Sequence, residues 1–248
     1  MNAIYILWLR QVKKYFRSKA RMIGSLGQPL LFLLAFGYGF GSIYSRAGGG
    51  NYIQFLAPGI ILMGVMFTAV FSGIEIIWDR QFGFLKETLV APVSRFEIML
   101  GRTIGGATVA TIQGLIVFIM TLIVGFRPEN WLFLPLGLVF VFLVALLFTS
   151  LGTAFATKLE DAQAFPLIMN FLVMPLFFLS GSLFPLQGVP KAMEIIARFN
   201  PMTYGIDGLR AALINTSSFG ILTDLIILAA ATFLLLLIGS VLFERIQV

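Results

Sequence analysis

Few side chains in this sequence could do chemistry. There is no Cys and no His among its 248 residues. Thiol chemistry, disulfides, most zinc sites and imidazole acid–base catalysis are therefore excluded. Aspartyl catalysis needs two carboxylates held together, yet Glu75 is the one acid that reads as lying within an apolar span, with Asp79 one helical turn later. No Gly-x-x-x-x-Gly-Lys-Ser/Thr phosphate loop occurs, so any ATP hydrolysis would fall to a partner. The sequence offers no catalytic residue, no metal ligand and no cofactor bound by this chain. Glu75 itself has two readings. Intramembrane acids are costly and face a bundle interior or an aqueous path; a residue one turn from Asp79 can also simply reach the interface.

Apolar runs must position these residues. The chain is 59% hydrophobic and 11% charged, against roughly 25% charged in soluble domains. Six runs lack any Asp, Glu, Lys or Arg: 22–45, 47–74, 103–126, 130–157, 162–190 and 225–243. A helix needs about 20 residues to cross a membrane, and continuous apolarity argues against a β-barrel. The expected fold is an all-α integral membrane domain of six transmembrane helices filling residues 1–248. The expected spans are 23–44, 55–78, 103–125, 131–156, one starting near Phe165, and 222–243. With the N-terminus inside, twelve Lys and Arg fall on the inner side and five on the outer. The positive-inside rule then places both termini in the cytoplasm. The net charge of +6 follows from this topology, and no nucleic-acid partner is implied.

The segment 79–102, DRQFGFLKETLVAPVSRFEIMLGR, is the sizeable polar stretch on the inner side. Gly83 to Val90 reads as a short surface helix stopped by Pro92. Leu85 and Leu89 share one face, expected to dock in the groove of a soluble partner, with Lys86 and Glu87 beside it to pair with charges. Ser94 and Glu97 have capping-box spacing and predict a new helix that runs into the third span. The turn at Lys158–Asp161 is a second candidate contact for a soluble partner.

Residues 3–21 read as an amphipathic interfacial helix (within an N-terminal segment 1–22). Arg10, Lys13, Lys14, Arg17 and Arg21 lie on one face, turned toward anionic lipid, with Ile4, Leu7, Trp8, Val12 and Tyr15 opposite. A signal peptide cleaved near Ser45-Arg46-Ala47 is the rival reading, but its apolar run is far too long. Gly37 with Gly41, and Gly101 with Gly105, are small-xxx-small pairs for close helix contact. Pro58-Gly59 is expected near a helix start.

On the outer side, 180–190 (SGSLFPLQGVP) is too broken by Gly and Pro for one helix. Helices at Lys191–Phe199, with a Glu194–Arg198 pair, and about Thr203–Leu213 should follow and form an outer re-entrant cap over 185–221. A polar tail, 244–248, ends the chain.

Four motifs in order resemble those of the membrane subunit of type-2 (export-class) ATP-binding-cassette transporters, close to drug-resistance permeases of bacteria and archaea. They are Phe55–Ile60 (FLAPGI), Asp79–Arg95, Leu100-Gly101-Arg102, and Ser180–Pro185 with Asn200–Arg210. Phe84 stands where Thr is usual, and Lys86-Glu87 where Glu-Arg is common. The resemblance implies a cytoplasmic-membrane permease paired in a dimer, likewise a second copy, with two separate ABC ATPase subunits that carry ATP and Mg. It implies a coupling helix from Gly83, Phe84, Leu85, Lys86, Glu87, Thr88 and Leu89, bounded by Pro92. It further implies export through the dimer interface. Glu75, as an intramembrane acid, is expected to face that cavity as an inner gate, and Phe184, Pro185, Asn200, Pro201 and Arg210 of the broken outer helices are expected to shape an outer gate; the Phe-rich spans fit an amphipathic drug, lipid or glycan-type cargo. The residues alone leave open an ATP-independent transporter or channel and a non-transporting scaffold.

Overall fold

The Ser94 hydroxyl accepts from the Glu97 amide at 3.2 Å, and the Glu97 carboxylate accepts from the Ser94 amide at 3.1 Å. This capping box starts the helix at Arg95, as its spacing predicts. The computed structural model describes residues 3–90, 92–244 and 246, and every regular element among them is helical. In order these are α1 (Ala3–Arg17), α2 (Lys19–Gly24), α3 (Gly27–Gly39), α4 (Gly41–Arg46), α5 (Tyr52–Phe71), α6 (Ile74–Gln81), α7 (Phe84–Val90) and α8 (Arg95–Val124). A 3-10 turn (Trp131–Phe133) leads into α9 (Leu134–Lys158), followed by α10 (Ala164–Phe178), α11 (Lys191–Phe199), α12 (Pro201–Ile214) and α13 (Ile221–Glu244).

Five stretches are long and apolar enough to cross a membrane: Lys19–Gly39, Tyr52–Gln81, Arg95–Val124, Trp131–Lys158 and Ile221–Glu244. The fifth apolar run instead forms α10, whose 15 residues reach about 22 Å, short of a hydrocarbon core of about 30 Å. Its end has a local cause. The hydroxyls of Ser180 and Ser182 both donate to the Phe177 carbonyl, at 2.6 and 2.8 Å. Gly181 then turns the chain at φ +75°, a conformation that favours glycine.

The core centres on α5, which is buried along most of its length and packs on α3, α8, α9 and α12. Asn51 caps α5, so Pro58 lies inside the helix rather than at its start. The bend between α5 and α6 falls at Gly73, where a Cβ would sit 2.5 Å from the Gly152 carbonyl carbon on α9. The first span is interrupted twice, and Gly37 packs on Ile53 and Leu56 while Gly41 meets nothing within 4 Å. Those two glycines thus do not form one contact face. Gly101 and Gly105 do, but against α1: added Cβ atoms would lie 3.0 Å from the Ile4 backbone and 2.8 Å from the Gln11 side chain. The interfacial helix ends at Arg17, short of the expected Arg21, and restarts as α2 after Ser18. Of the polar tail, Arg245, Gln247 and Val248 lie outside the described residues, as does Ala91 of the inner segment. The carbonyls of Glu244 and Ile246 accept from Arg95.

Candidate functional site

Two polar centres occupy opposite ends of the bundle. The first is built on α6. Glu75 is 4% exposed and pairs with Lys14 at 3.2 Å and Arg21 at 2.9 Å. One turn later, Asp79 pairs with Arg10 at 3.0 Å and with the buried Arg102 of α8. The carboxylates therefore neither snorkel nor stand free. Burial of such charges is tolerable only with partners. This arrangement corrects the lipid-facing reading of α1: Arg10, Lys14 and Arg21 turn to the acids, while Lys13 and Arg17 stay exposed. Trp8 and Tyr15 anchor the other side, donating to Thr108 and Gln113 of α8. Burial pushes the Tyr15 hydroxyl up, partly opposed by Arg21.

Beyond Asp79, α6 clasps the next inner turn. Arg80 donates to the carbonyls of Thr157 (3.0 Å) and Leu159 (3.3 Å), and Gln81 to that of Glu160 (3.0 Å). Gly83, at φ +81°, then turns the chain into α7. Leu85 is fully buried in this chain's own core and Leu89 packs against it, so the Leu85–Leu89 face points inward, contrary to its expected role as a docking surface. The outward apolar groups are Phe82, Phe84 and Val90, with Lys86 and Glu87 exposed beside them. Thr88 spends its hydroxyl on the Phe84 carbonyl at 2.9 Å. Pro92 is exposed in the bend before Ser94.

The second centre surrounds Arg210 on α12, which is not among the span candidates. Its guanidinium donates to the carbonyls of Phe55 (3.1 Å), Gly181 (3.0 Å) and Ser182 (3.3 Å). It also stacks 3.8 Å from the centre of the Phe55 ring. Tyr52 donates to the Leu183 carbonyl at 2.7 Å. Three successive carbonyls of the irregular loop 179–190, those of residues 181–183, thus have side-chain donors, which suits such backbone in a membrane protein. Gly59 completes the seat, because a Cβ there would lie 3.0 Å from Ser182. Burial lowers the Arg210 guanidinium to about 10, with Asp207 opposing, so it stays a cation at neutral pH. Asn200 is buried, caps α12 at the Met202 amide and donates to the Leu176 carbonyl at 2.6 Å. Pro201 follows as the first residue of α12. Phe184 packs partly against the core, and Pro185 is exposed on the wall of an open cleft of about 900 Å³ shared with Tyr44, Gln54, Thr203 and Arg210. The Glu194–Arg198 pair forms at 2.6 Å.

Sequence reasoning missed two residues here. Arg102 read as a motif member rather than as the buried partner of Asp79. Asp224, in the first turn of α13, is a second acid inside a spanning helix, fully buried, with neither carboxylate oxygen partnered among the described residues. Its place inside the expected span 222–243 was the available signal.

The motifs thus gather by end. Pro58-Gly59, 180–185 and 200–210 meet around Arg210, and 79–102 organises the opposite end. The chain matches the family model for ABC-2 type transporters over residues 2–214. It belongs to the ABC-2 type transporter family. This ABC-2 chain is 29% identical over 213 residues to nodulation protein J of Rhizobium leguminosarum bv. trifolii, covering 85% of this chain and 78% of that protein. It is 32% identical over 219 residues to the putative transport permease ycf38 of Pyropia yezoensis, covering 85% and 73%. With the inner membrane transport permease YadH of Escherichia coli K12 it shares 27% identity over 237 residues, covering 91% and 90%. An ABC-2 membrane protein of this kind implies an ATPase partner.

Proposed function

We propose that the chain is the membrane-spanning permease subunit of an ATP-driven exporter. In this reading it pairs with a second copy of itself and with two cytoplasmic ABC ATPase subunits, which bind ATP and Mg. It lies in the cytoplasmic membrane with six apolar segments and both termini inside. Its cargo is an amphipathic drug, lipid or glycan-type molecule. The observation that carries this reading is the mounting of α7. Buried Leu85 seats the helix on the chain's own core, and Phe84, Lys86 and Glu87 face outward. Its neighbour α6 is tied by Arg80 to the 157–159 carbonyls and by its acids to α1. A push on α7 therefore reaches three helices. Glu75 serves as the inner gate through these ion pairs. Phe184, Pro185, Asn200, Pro201 and Arg210 form the outer gate.

Replacing Phe82 and Phe84 by Asp tests the coupling role without touching the core. In proteoliposomes holding the complex, the double variant should lose binding to the ATPase subunit and stimulation of its hydrolysis, with unchanged thermal stability. A cysteine at Thr88 of the unmodified helix should crosslink to the ATPase. Retained stimulation together with no crosslink would show that α7 is not the coupling element.

A further inference from the structure

The basic residues at the α1 end are in excess of the acids they meet. Arg10, Lys14, Arg21 and Arg102 converge on two carboxylates, Glu75 and Asp79. Beside this cluster the corner between α2 and α3 leaves a cleft of about 240 Å³ against α5. One wall is polar: Arg21, Ser25 and Gln28. The other carries Phe67 and Phe71, whose rings stack with centroids 6.2 Å apart. Arg21 uses Nη1 on Glu75, and its remaining N–H groups have no partner among the described residues. The side chain of Gln28, too, makes no hydrogen bond among them. Above the cleft α3 continues with an exposed apolar strip, Leu31, Leu34 and Tyr38.

We propose that this cleft binds one anionic phospholipid from the leaflet that holds α1. Its phosphate lies against Arg21 and Gln28, and an acyl chain runs past Phe71 and up α3. Three observations select this occupant. The uncompensated cations call for an anion, and a guanidinium with free N–H groups favours phosphate. The cleft has room for a phosphate and glycerol but not two chains, with water taking about 30 Å³ a molecule, so the tails must leave along α3. The aromatic wall and the α3 strip give a free anion nothing to bind. The lipid would fasten the α2–α3 corner to α5 beside the ion pairs that hold α6. The inference depends on membrane insertion and not on transport.

The test uses the full chain in nanodiscs, extracted gently and weighed by native mass spectrometry. Phosphatidylglycerol should be retained at one per chain, about tenfold over phosphatidylcholine, the ratio that one charge-assisted contact sustains. Arg21→Gln should remove this preference, and Gln28→Leu, which takes a donor from the phosphate, should lower the retained phosphatidylglycerol. Lys13→Gln, an equal loss of charge on an exposed residue away from the cleft, should leave it. Should Arg21→Gln fail to fold because Glu75 loses a partner, Gln28→Leu decides, since it leaves every ion pair in place. Equal retention of the two lipids, or unchanged retention in Gln28→Leu, overturns the proposal. So does displacement of phosphatidylglycerol by millimolar inorganic phosphate, which would make the cleft a site for soluble anions.

Discussion

Asp79 is held between a buried arginine and a half-exposed one. Removing Arg102 leaves the acid with Arg10 alone. Breaking a buried pair costs about 3–5 kcal/mol, and the surviving Arg10 contact should bring Arg102→Met toward the lower end. Adding Asp79→Asn should recover part of that loss, because the uncompensated charge goes with it. Thermal unfolding of the detergent-purified single and double variants measures both, and additive losses would show that the two residues do not act as a pair. At the other end Arg210→Lys keeps the charge but not the fork that reaches three carbonyls. Each buried acceptor left without its donor costs about 1–3 kcal/mol, so backbone hydrogen exchange over 180–186 should accelerate, whereas unchanged exchange would mean that the loop holds itself.

At the scale of elements, two helix contacts depend on missing side chains. Gly73 brings the α5–α6 bend against the Gly152 backbone, and backbone cannot move aside as a side chain can. Gly73→Ala should destabilise by about 1–3 kcal/mol through overpacking. Gly24→Ala, where nothing lies within 4 Å, should change nothing. Equal melting temperatures for the two variants would contradict this packing. Gly105→Leu should lift α1 from α8 and weaken the ion pairs of Arg10 and Lys14 together, since one rigid helix carries both residues.

Across the whole molecule, the ends segregate as a topology. Gly49 and Gln187 line the same cleft as Glu129, next to Asn130, while Lys14 joins Glu75 and Asp161 follows the turn clasped by Gln81. Cysteines at Gly49, Asn130 and Gln187 should react with an impermeant thiol reagent on intact cells, and cysteines at Lys14, Lys86 and Asp161 should stay protected. Labelling at Lys86 in intact cells would invert or break this topology.

Much of the fold is local physics, and the sequence by itself determined that part. Uninterrupted apolar runs dictate helices, because a membrane leaves backbone groups no other partner. Ser94 with Glu97 caps α8, and Glu194–Arg198 pair within one helix; each rests on residues three or four apart. Asn200-Pro201, expected to end α11, also caps and starts α12, two residues before the expected Thr203. What lies far apart in the chain had no such signature. Amphipathicity shows that α1 has a basic face but not whether lipid or a carboxylate meets it; that waited on α6 being folded beside it. Leu85 and Leu89 show an apolar stripe, but only the packing decided that the stripe turns inward. The Gly and Pro of 180–190 already stop the fifth helix in the sequence, but that Ser180 and Ser182 both cap the Phe177 carbonyl appears only in the folded chain. Arg210 stands out in the sequence as the end of a motif, but its carbonyl partners are set only when α5, α12 and the 180–186 loop converge on it. Pairings over such separations depend on which helices become neighbours, and that is a property of the assembled bundle rather than of any stretch within it.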